Sequence, residues 1–251
     1  MYMKPSYRES HKTERKSRMY EELVYKQGSY DDMVWQYEKK LLDMELARLK
    51  ERVPSVLRYL DFGCGTGRIL GYLEEEVGEA TGVDNAASML AYARNQVKKA
   101  KLIEADLTEH DVLAGEEYDF ITAFRIFLNA EPVLRKEMMR VLTPKMRDEN
   151  SIFIFNMHGN IWSHRLFTKL WLTLRGRRLN TISYWQARRF AEAHGLFVER
   201  WYGFGVLPKV FYRWFGSTRM YRLDNMFARV PFMRYMAYDL VFVCKKIRNL
   251  K

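Results

Sequence analysis

The residues best suited to chemistry begin at Asp61–Arg68, "DFGCGTGR". Gly63, Gly65 and Gly67 follow an apolar run, "SVLRYL", and precede a helical pattern. A strand-to-helix turn without Cβ atoms lets the polar end of a ligand reach backbone N–H groups at the positive end of a helix. Asp84 closes a second short apolar run and Asp106 follows a third. Each offers a carboxylate to hydroxyl or amine donors at the carboxyl end of a strand, where open α/β sheets bind ligands. Farther along, "FNMHGNIWSHR" carries His158 and His164, side chains that titrate near neutral pH.

Alternating elements must position these groups. Residues 31–52 read as a helix, with Val34, Tyr37, Leu41 and Met44 at helical spacing and Asp31 and Asp32 at its positive end. Strands are expected at Val56–Phe62, Ala80–Val83, Lys101–Glu104, Tyr118–Ile126 and Ser151–Asn156. Helices are expected at Arg68–Glu76, Ala86–Val97 and Pro132–Leu142, the last with Pro at its first position. This rhythm implies an α/β fold, a mainly parallel sheet with helices on both faces. The last third departs from it. Ser183–His194 reads as a helix closed by Gly195, with His194 placed at its negative end, and Phe197–Tyr202 and Tyr238–Cys244 as strands. Segments at about 157–182 and 203–237 interrupt, and are expected to cap one end of the sheet. Residues 1–30 are expected to be a polar tail or lid, and 31–251 one domain.

The glycine spacing separates possible ligands. The dinucleotide fingerprint is G-x-G-x-x-G, which would place its third glycine at position 68. That residue is Arg68, and the spacing here is G-x-G-x-G. "DFGCGTG" resembles the first motif of the class I S-adenosylmethionine-dependent methyltransferases. The resemblance continues in order over about residues 55–156, through "TGVDNAASML", "IEADLTE" and "YDFITAFRIFLNAEP" with its helix ending "RVLTP". It implies a Rossmann-like seven-stranded sheet with an antiparallel hairpin, and S-adenosylmethionine as the methyl donor, leaving S-adenosylhomocysteine. Gly63, Gly65 and Gly67 would admit the methionine portion of the donor, with Asp61 near its ammonium and Phe124 beside it. Asp84 would accept from the ribose hydroxyls and Asp106 from the adenine amine, with Asn85, Met89 and Leu107 against the ring.

The acceptor is less legible. Relatives that methylate exocyclic amines often carry an Asn/Asp-Pro-Pro-aromatic motif after the fourth strand; "FRIFLN" lacks it. Hydroxyl acceptors need a base or an orienting group, and His158 is the expected one, with His164 second. Arg125 and Asn129 are expected to contact an anionic or hydroxylated acceptor.

Charge carries the remaining clue. The 251 residues have a net charge of +11, unevenly spread. Residues 151–251 hold 18 Lys and Arg against 4 Asp and Glu, a net +14, while residues 1–150 hold 24 against 27, a net −3. In the interrupting segments, Trp162, Leu166, Leu170 and Leu174 recur at helical spacing among Arg165, Lys169 and Arg175. Such basic aromatic pieces suit an anionic membrane surface or RNA. Two cysteines, Cys64 and Cys244, with no disulfide or metal spacing fit a reducing compartment. With no secretory signal and no run long enough to span a bilayer, the expected location is cytoplasmic, peripheral to the membrane at most. The expected activity is O-methylation of a saccharide, lipid-linked or other amphipathic small acceptor. The alternatives are an RNA methyltransferase and a non-catalytic cofactor-binding scaffold.

Overall fold

The computed structural model describes residues 7–10, 29–177 and 179–247. Most of the expected N-terminal tail lies outside them. Helix α1 is Tyr7–Ser10 and α2 is Tyr30–Arg52. Ser29 caps α2 by accepting from the Asp32 N–H at 3.0 Å. The core strands and helices follow in alternation: β1 (Arg58–Phe62), α3 (Arg68–Leu73), β2 (Glu79–Asp84), α4 (Ala87–Gln96), β3 (Lys101–Glu104), β4 (Phe120–Ala123), α5 (Pro132–Leu142) and β5 (Ile152–His158). Then come α6 (Arg165–Leu174), α7 (Tyr184–Glu192), β6 (Leu196–Phe204), α8 (Lys209–Phe215), α9 (Ser217–Arg229), α10 (Pro231–Arg234) and β7 (Asp239–Lys246).

The seven strands form one sheet in the order β3-β2-β1-β4-β5-β7-β6. All neighbours are parallel except β7, which runs antiparallel between β5 and β6. Side chains alternate across a strand, so the near-continuous apolar runs fill two cores. Leu60, Ile121, Phe153, Phe155 and Phe242 face one way, toward α5 and α7. Tyr59, Phe120, Ile152, Ile154 and Val241 face the other, under α2, α3 and α4.

Two strand ends near the site differ from the sequence reading. The β4 strand stops at Ala123, not Ile126, because Arg125 turns to φ 61°, a left-handed conformation that ends pleating. The β5 strand runs on to His158, so that histidine is the last strand residue rather than a loop residue beyond it. Pairing with β7 extends it, since His158 lies opposite Asp239.

The interrupting segments are helical. Among their elements α6 has no buried residue. The second segment is tied down by Asp224, whose Oδ1 accepts from the Val206 and Leu207 N–H groups at 2.7 and 3.1 Å and whose Oδ2 accepts from the Tyr212 hydroxyl. No helix among the described residues is long and apolar enough to cross a membrane.

Candidate active site

A cavity of about 1070 Å³, counted with its open mouth, lies at the carboxyl ends of β1, β2 and β4. It is lined by Asp61, Gly63, Gly65, Asp84, Asn85, Met89, Asp106, Leu107 and Phe124, nine of the ten residues expected to hold the methyl donor. Gly67 is the exception. It has φ +83°, and a Cβ there would meet Val97 at 2.8 Å and Ala93 at 3.0 Å. Its role is close packing of the α3 start on α4. Gly65, at φ +56°, has open space where a Cβ would stand, so its missing side chain leaves room for a ligand.

Two carboxylates brace the turn. Asp84 Oδ2 accepts from the Gly65 N–H and Oδ1 from the Ala86 N–H, both at 2.9 Å. Each oxygen keeps a lone pair, and adjacent hydroxyls of a ribose are a matching donor pair. Burial raises the Asp84 pKa against these bonds. Asp61 Oδ1 accepts from the Thr122 hydroxyl at 2.7 Å, and Thr122 in turn accepts from the Tyr59 hydroxyl at 2.7 Å. Burial is the main cause that pushes Asp61 up to about 7; the Thr122 bond lowers it and nearby Asp84 raises it. A ligand ammonium would offset that burial. The cavity, the open space at Gly65 and the two acceptor carboxylates therefore fit an amino-acid nucleoside such as S-adenosylmethionine.

Asp106 is already engaged. Its Oδ1 accepts from the Thr108 N–H at 2.9 Å and the Thr108 hydroxyl at 2.5 Å, and Oδ2 accepts from Arg8 Nε at 2.8 Å. Arg8 also reaches Glu137, and the Asn85 amide donates to the Arg8 carbonyl at 3.5 Å. Tyr7 and Arg8 thus close the cavity on the Asp106 side. The sequence reading placed a lid in this region without naming these contacts.

The neighbouring end of the sheet carries the acceptor candidates. Arg125 lines the donor cavity, and its N–H donates to Asn156 Oδ1. The Asn156 amide donates to both Asp239 oxygens at 3.2 Å. The Asn129 amide donates to the Arg125 carbonyl at 2.7 Å, and His158 Nε2 lies 3.2 Å from Asn129 Oδ1. Arg125, Asn129 and His158 are therefore brought together, outside the donor cavity except for Arg125. Burial, with Arg125, Arg165 and Lys209 adding to it, lowers the His158 pKa to about 3. Such an imidazole is a weak proton acceptor at neutral pH. Of the two roles expected for His158, orienting an acceptor fits these surroundings better than removing its proton.

Glu38 is a site residue that sequence reasoning missed. It is fully buried on α2, with Oε2 3.2 Å from Arg68 and Oε1 3.7 Å from Arg125. Its signal was an acid on the apolar stripe, four residues after Val34.

Comparison with known proteins agrees with this geometry. A family described as methyltransferase domain matches residues 60–145. A malonyl-[acyl-carrier protein] O-methyltransferase from Enterobacter lignolyticus is 36% identical over 84 residues, 34% of this chain and 32% of that protein. The chain thus matches about a third of the length of that curated relative. The crystal structure of magnesium protoporphyrin IX methyltransferase from Synechocystis with bound S-adenosylhomocysteine aligns with a TM-score of 0.63 at 14% identity, over 95% of this chain and 97% of that one. An S-adenosylmethionine-dependent methyltransferase from Clostridium acetobutylicum aligns with a TM-score of 0.59 at 12% identity, over 93% and 98%. The sheet order with its single antiparallel strand is the fold of these S-adenosylmethionine-dependent methyltransferases, and residues 60–145, which include the glycine turn, match a methyltransferase domain.

Proposed function

We propose that the chain transfers the methyl group of S-adenosylmethionine to an oxygen of a small amphipathic acceptor, a saccharide or lipid-linked molecule among them. The observation that carries this is the juxtaposition of the donor cavity with a polar rim, joined by Phe124 and Arg125. Asp61 would take the donor ammonium, Asp84 the ribose hydroxyls, and Asp106 with Leu107 the adenine. Bound there, S-adenosylmethionine supplies an activated methyl group. The chain's own task is to hold the acceptor in line with it and to exclude water. Arg125, Asn129 and His158 would do this on the acceptor side. The two similar proteins described as methyltransferases of malonyl-[acyl-carrier protein] and magnesium protoporphyrin IX lend support, the first being named an O-methyltransferase.

The cap supports an amphipathic acceptor met at an anionic membrane surface. On α6, Phe167 is 75% exposed, Leu170 57%, Trp171 51% and Leu174 88%, with Lys169 and Arg175 among them. Trp214, Phe215 and Phe232 of α8 and α10 are exposed as well. An apolar face so long and uncovered suits a lipid interface, and its aliphatic members have no stacking use on RNA.

Calorimetry with S-adenosylhomocysteine and with NAD tests the donor. Heat of binding with the first alone is expected; binding of NAD alone would refute the reading. Co-sedimentation with phosphatidylglycerol and phosphatidylcholine vesicles tests the surface. Preference for the anionic vesicles is expected, and equal behaviour with both, or salt-sensitive RNA binding in their place, would remove the membrane part.

A further inference from the structure

Buried polar side-chain atoms without a hydrogen-bond partner are scattered among the described residues, and several lie close together beside the end of β5. They include Tyr30 Oη, His158 Nδ1 and His164 Nδ1. Such an atom destabilises the fold if nothing completes it, so a group of them calls for a polar ligand.

Tyr238, the residue before β7, is the hub of this group. The His164 ring stacks on it with centroids 5.3 Å apart. Arg165 lies 5.1 Å from its ring and donates to its hydroxyl at 3.0 Å. Lys209 Nζ lies 5.7 Å from the same ring and 4.4 Å from that of Tyr30. The Tyr238 carbonyl accepts from Gly159 and Asn160, which places the end of β5 alongside. His158 therefore stands next to the cluster, opposite Asp239.

The hydrogen bonds fix what His158 offers. The Asn129 amide nitrogen is committed to the Arg125 carbonyl, so its oxygen faces His158 Nε2. Nε2 must then carry the hydrogen, and Nδ1 holds a lone pair that only a donor can satisfy.

Asp224, whose charge acts on Tyr30, accepts from Val206, Leu207 and Tyr212, which leaves Arg165 as the cation of the cluster least engaged by carboxylates. Among the described residues no carboxylate lies within ion-pair distance of Arg165. Lys209 lies 3.6 Å from Asp31, a long contact. Glu38 is taken by Arg68 and Arg125, and Asp239 accepts from the Asn156 amide. Burial, reinforced by Glu38, pushes the Asp239 carboxyl up to about 7, so near neutral pH it is only partly ionised. Burial raises the Tyr30 and Tyr238 phenols, which stay neutral there.

We propose that this cluster is the acceptor's anion subsite: Arg165 and Lys209 hold a carboxylate or phosphate of the acceptor, while His158 Nδ1 accepts from a hydroxyl of the same molecule. This rests on the methyltransferase reading and narrows its acceptor to one that carries both an anionic group and a hydroxyl. Burial is the main cause that holds both histidines below their ordinary pKa, and Arg165 and Lys209 add to it. A bound anion offsets their field and raises both.

The test follows the side-chain nitrogens of His158 and His164 by NMR in a pH titration of the full chain. Inorganic phosphate and acetate are the probes, with chloride at equal ionic strength as control, each with and without S-adenosylhomocysteine. A rise of one pKa unit or more for either histidine, lost in Arg165→Gln and Lys209→Gln, is expected. Response to phosphate alone assigns a phosphorylated acceptor; response to acetate assigns a carboxylate. No shift beyond the chloride control, or an equal shift in both variants, overturns the subsite. Failure to bind S-adenosylhomocysteine would instead overturn the donor reading, because the anion titration is also read without it.

Discussion

The donor cavity and the proposed acceptor end of this sheet are built on opposite terms. At the donor end the two carboxylates of the turn are engaged: Asp84 takes two backbone N–H groups and Asp61 takes Thr122. The ligand has only to fill space and meet lone pairs already held in place. At the proposed acceptor end, buried atoms of Tyr30, His158 and His164 lack hydrogen-bond partners, and the helix that follows β5 has no fully buried residue. One end is preorganised for a ligand common to many enzymes. The other is left for a specific partner to complete. The difference teaches where specificity resides, since rigid cradles can be shared and open polar clusters can diverge.

The sharpest way to break this comparison is at the seam. Glu38 is fully buried between Arg68 and Arg125, which both line the donor cavity, and the Arg125 backbone also binds Asn129 and Asn156 of the other end. Removing one partner of a buried ion pair costs about 3–5 kcal/mol. Glu38→Ala is expected to lower the unfolding free energy by an amount within that range and to weaken both ends together. Urea denaturation checks the first part. A change near zero would mean that the two ends do not share a structural support.

The donor end alone is broken at Gly65. Valine there must adopt a left-handed backbone and place its methyls in the cavity. Affinity for S-adenosylhomocysteine is expected to fall about 100-fold, equivalent to about 2.7 kcal/mol. Calorimetry reads this directly, and Gly67→Ala is the contrast. It would strain the contact of α3 with Val97 and Ala93, lowering thermal stability while affinity changes less.

Asp61 sharpens the comparison through pH. Its pKa near 7 without ligand means that a proton must leave before the carboxylate can meet an ammonium. The bound state favours the ionised form, so the folded pKa drops on binding and affinity rises with pH up to about 7, then levels. Well below that value each pH unit corresponds to about 1.4 kcal/mol, a tenfold change. Titrations of S-adenosylhomocysteine at pH 5.5 to 8 should trace this rise, and Asp61→Asn should flatten it. A flat curve for the unaltered chain would show that Asp61 does not hold the ammonium.

Much of the donor end was legible because its determinants are local. The bounds of Lys101–Glu104 and Pro132–Leu142 follow from alternation and from a proline at a helix start. The order of glycines and aspartates along the chain also carries the cavity, since successive strand ends line it. The acceptor end depended on contacts far apart in sequence. "YDFITAFRI" is apolar throughout, so nothing local ends β4 at Ala123; the kink at Arg125 is held by Asn156, 31 residues on. Glu38 looked like an ordinary helix charge until α2 was laid over the sheet. Gly67 was assigned to the ligand because it stood in the motif, whereas its space is taken by α4.

The smallest expected effect on the fold is the one that most sharply separates the two ends. In a packed core, shortening a leucine costs about 2–5 kcal/mol. Leu170 and Leu174 are on α6, exposed at 57% and 88%, and touch no core. Leu170→Ser and Leu174→Ser should therefore change unfolding free energy by no more than about 0.5 kcal/mol. Donor binding should be untouched, because α6 contributes nothing to that cavity. Anionic vesicle binding should weaken, because each change withdraws an apolar side chain from the lipid interface without altering charge. A loss of stability of 2 kcal/mol or more would mean that α6 is covered by protein in solution, and the open end would then be closed by something other than a membrane.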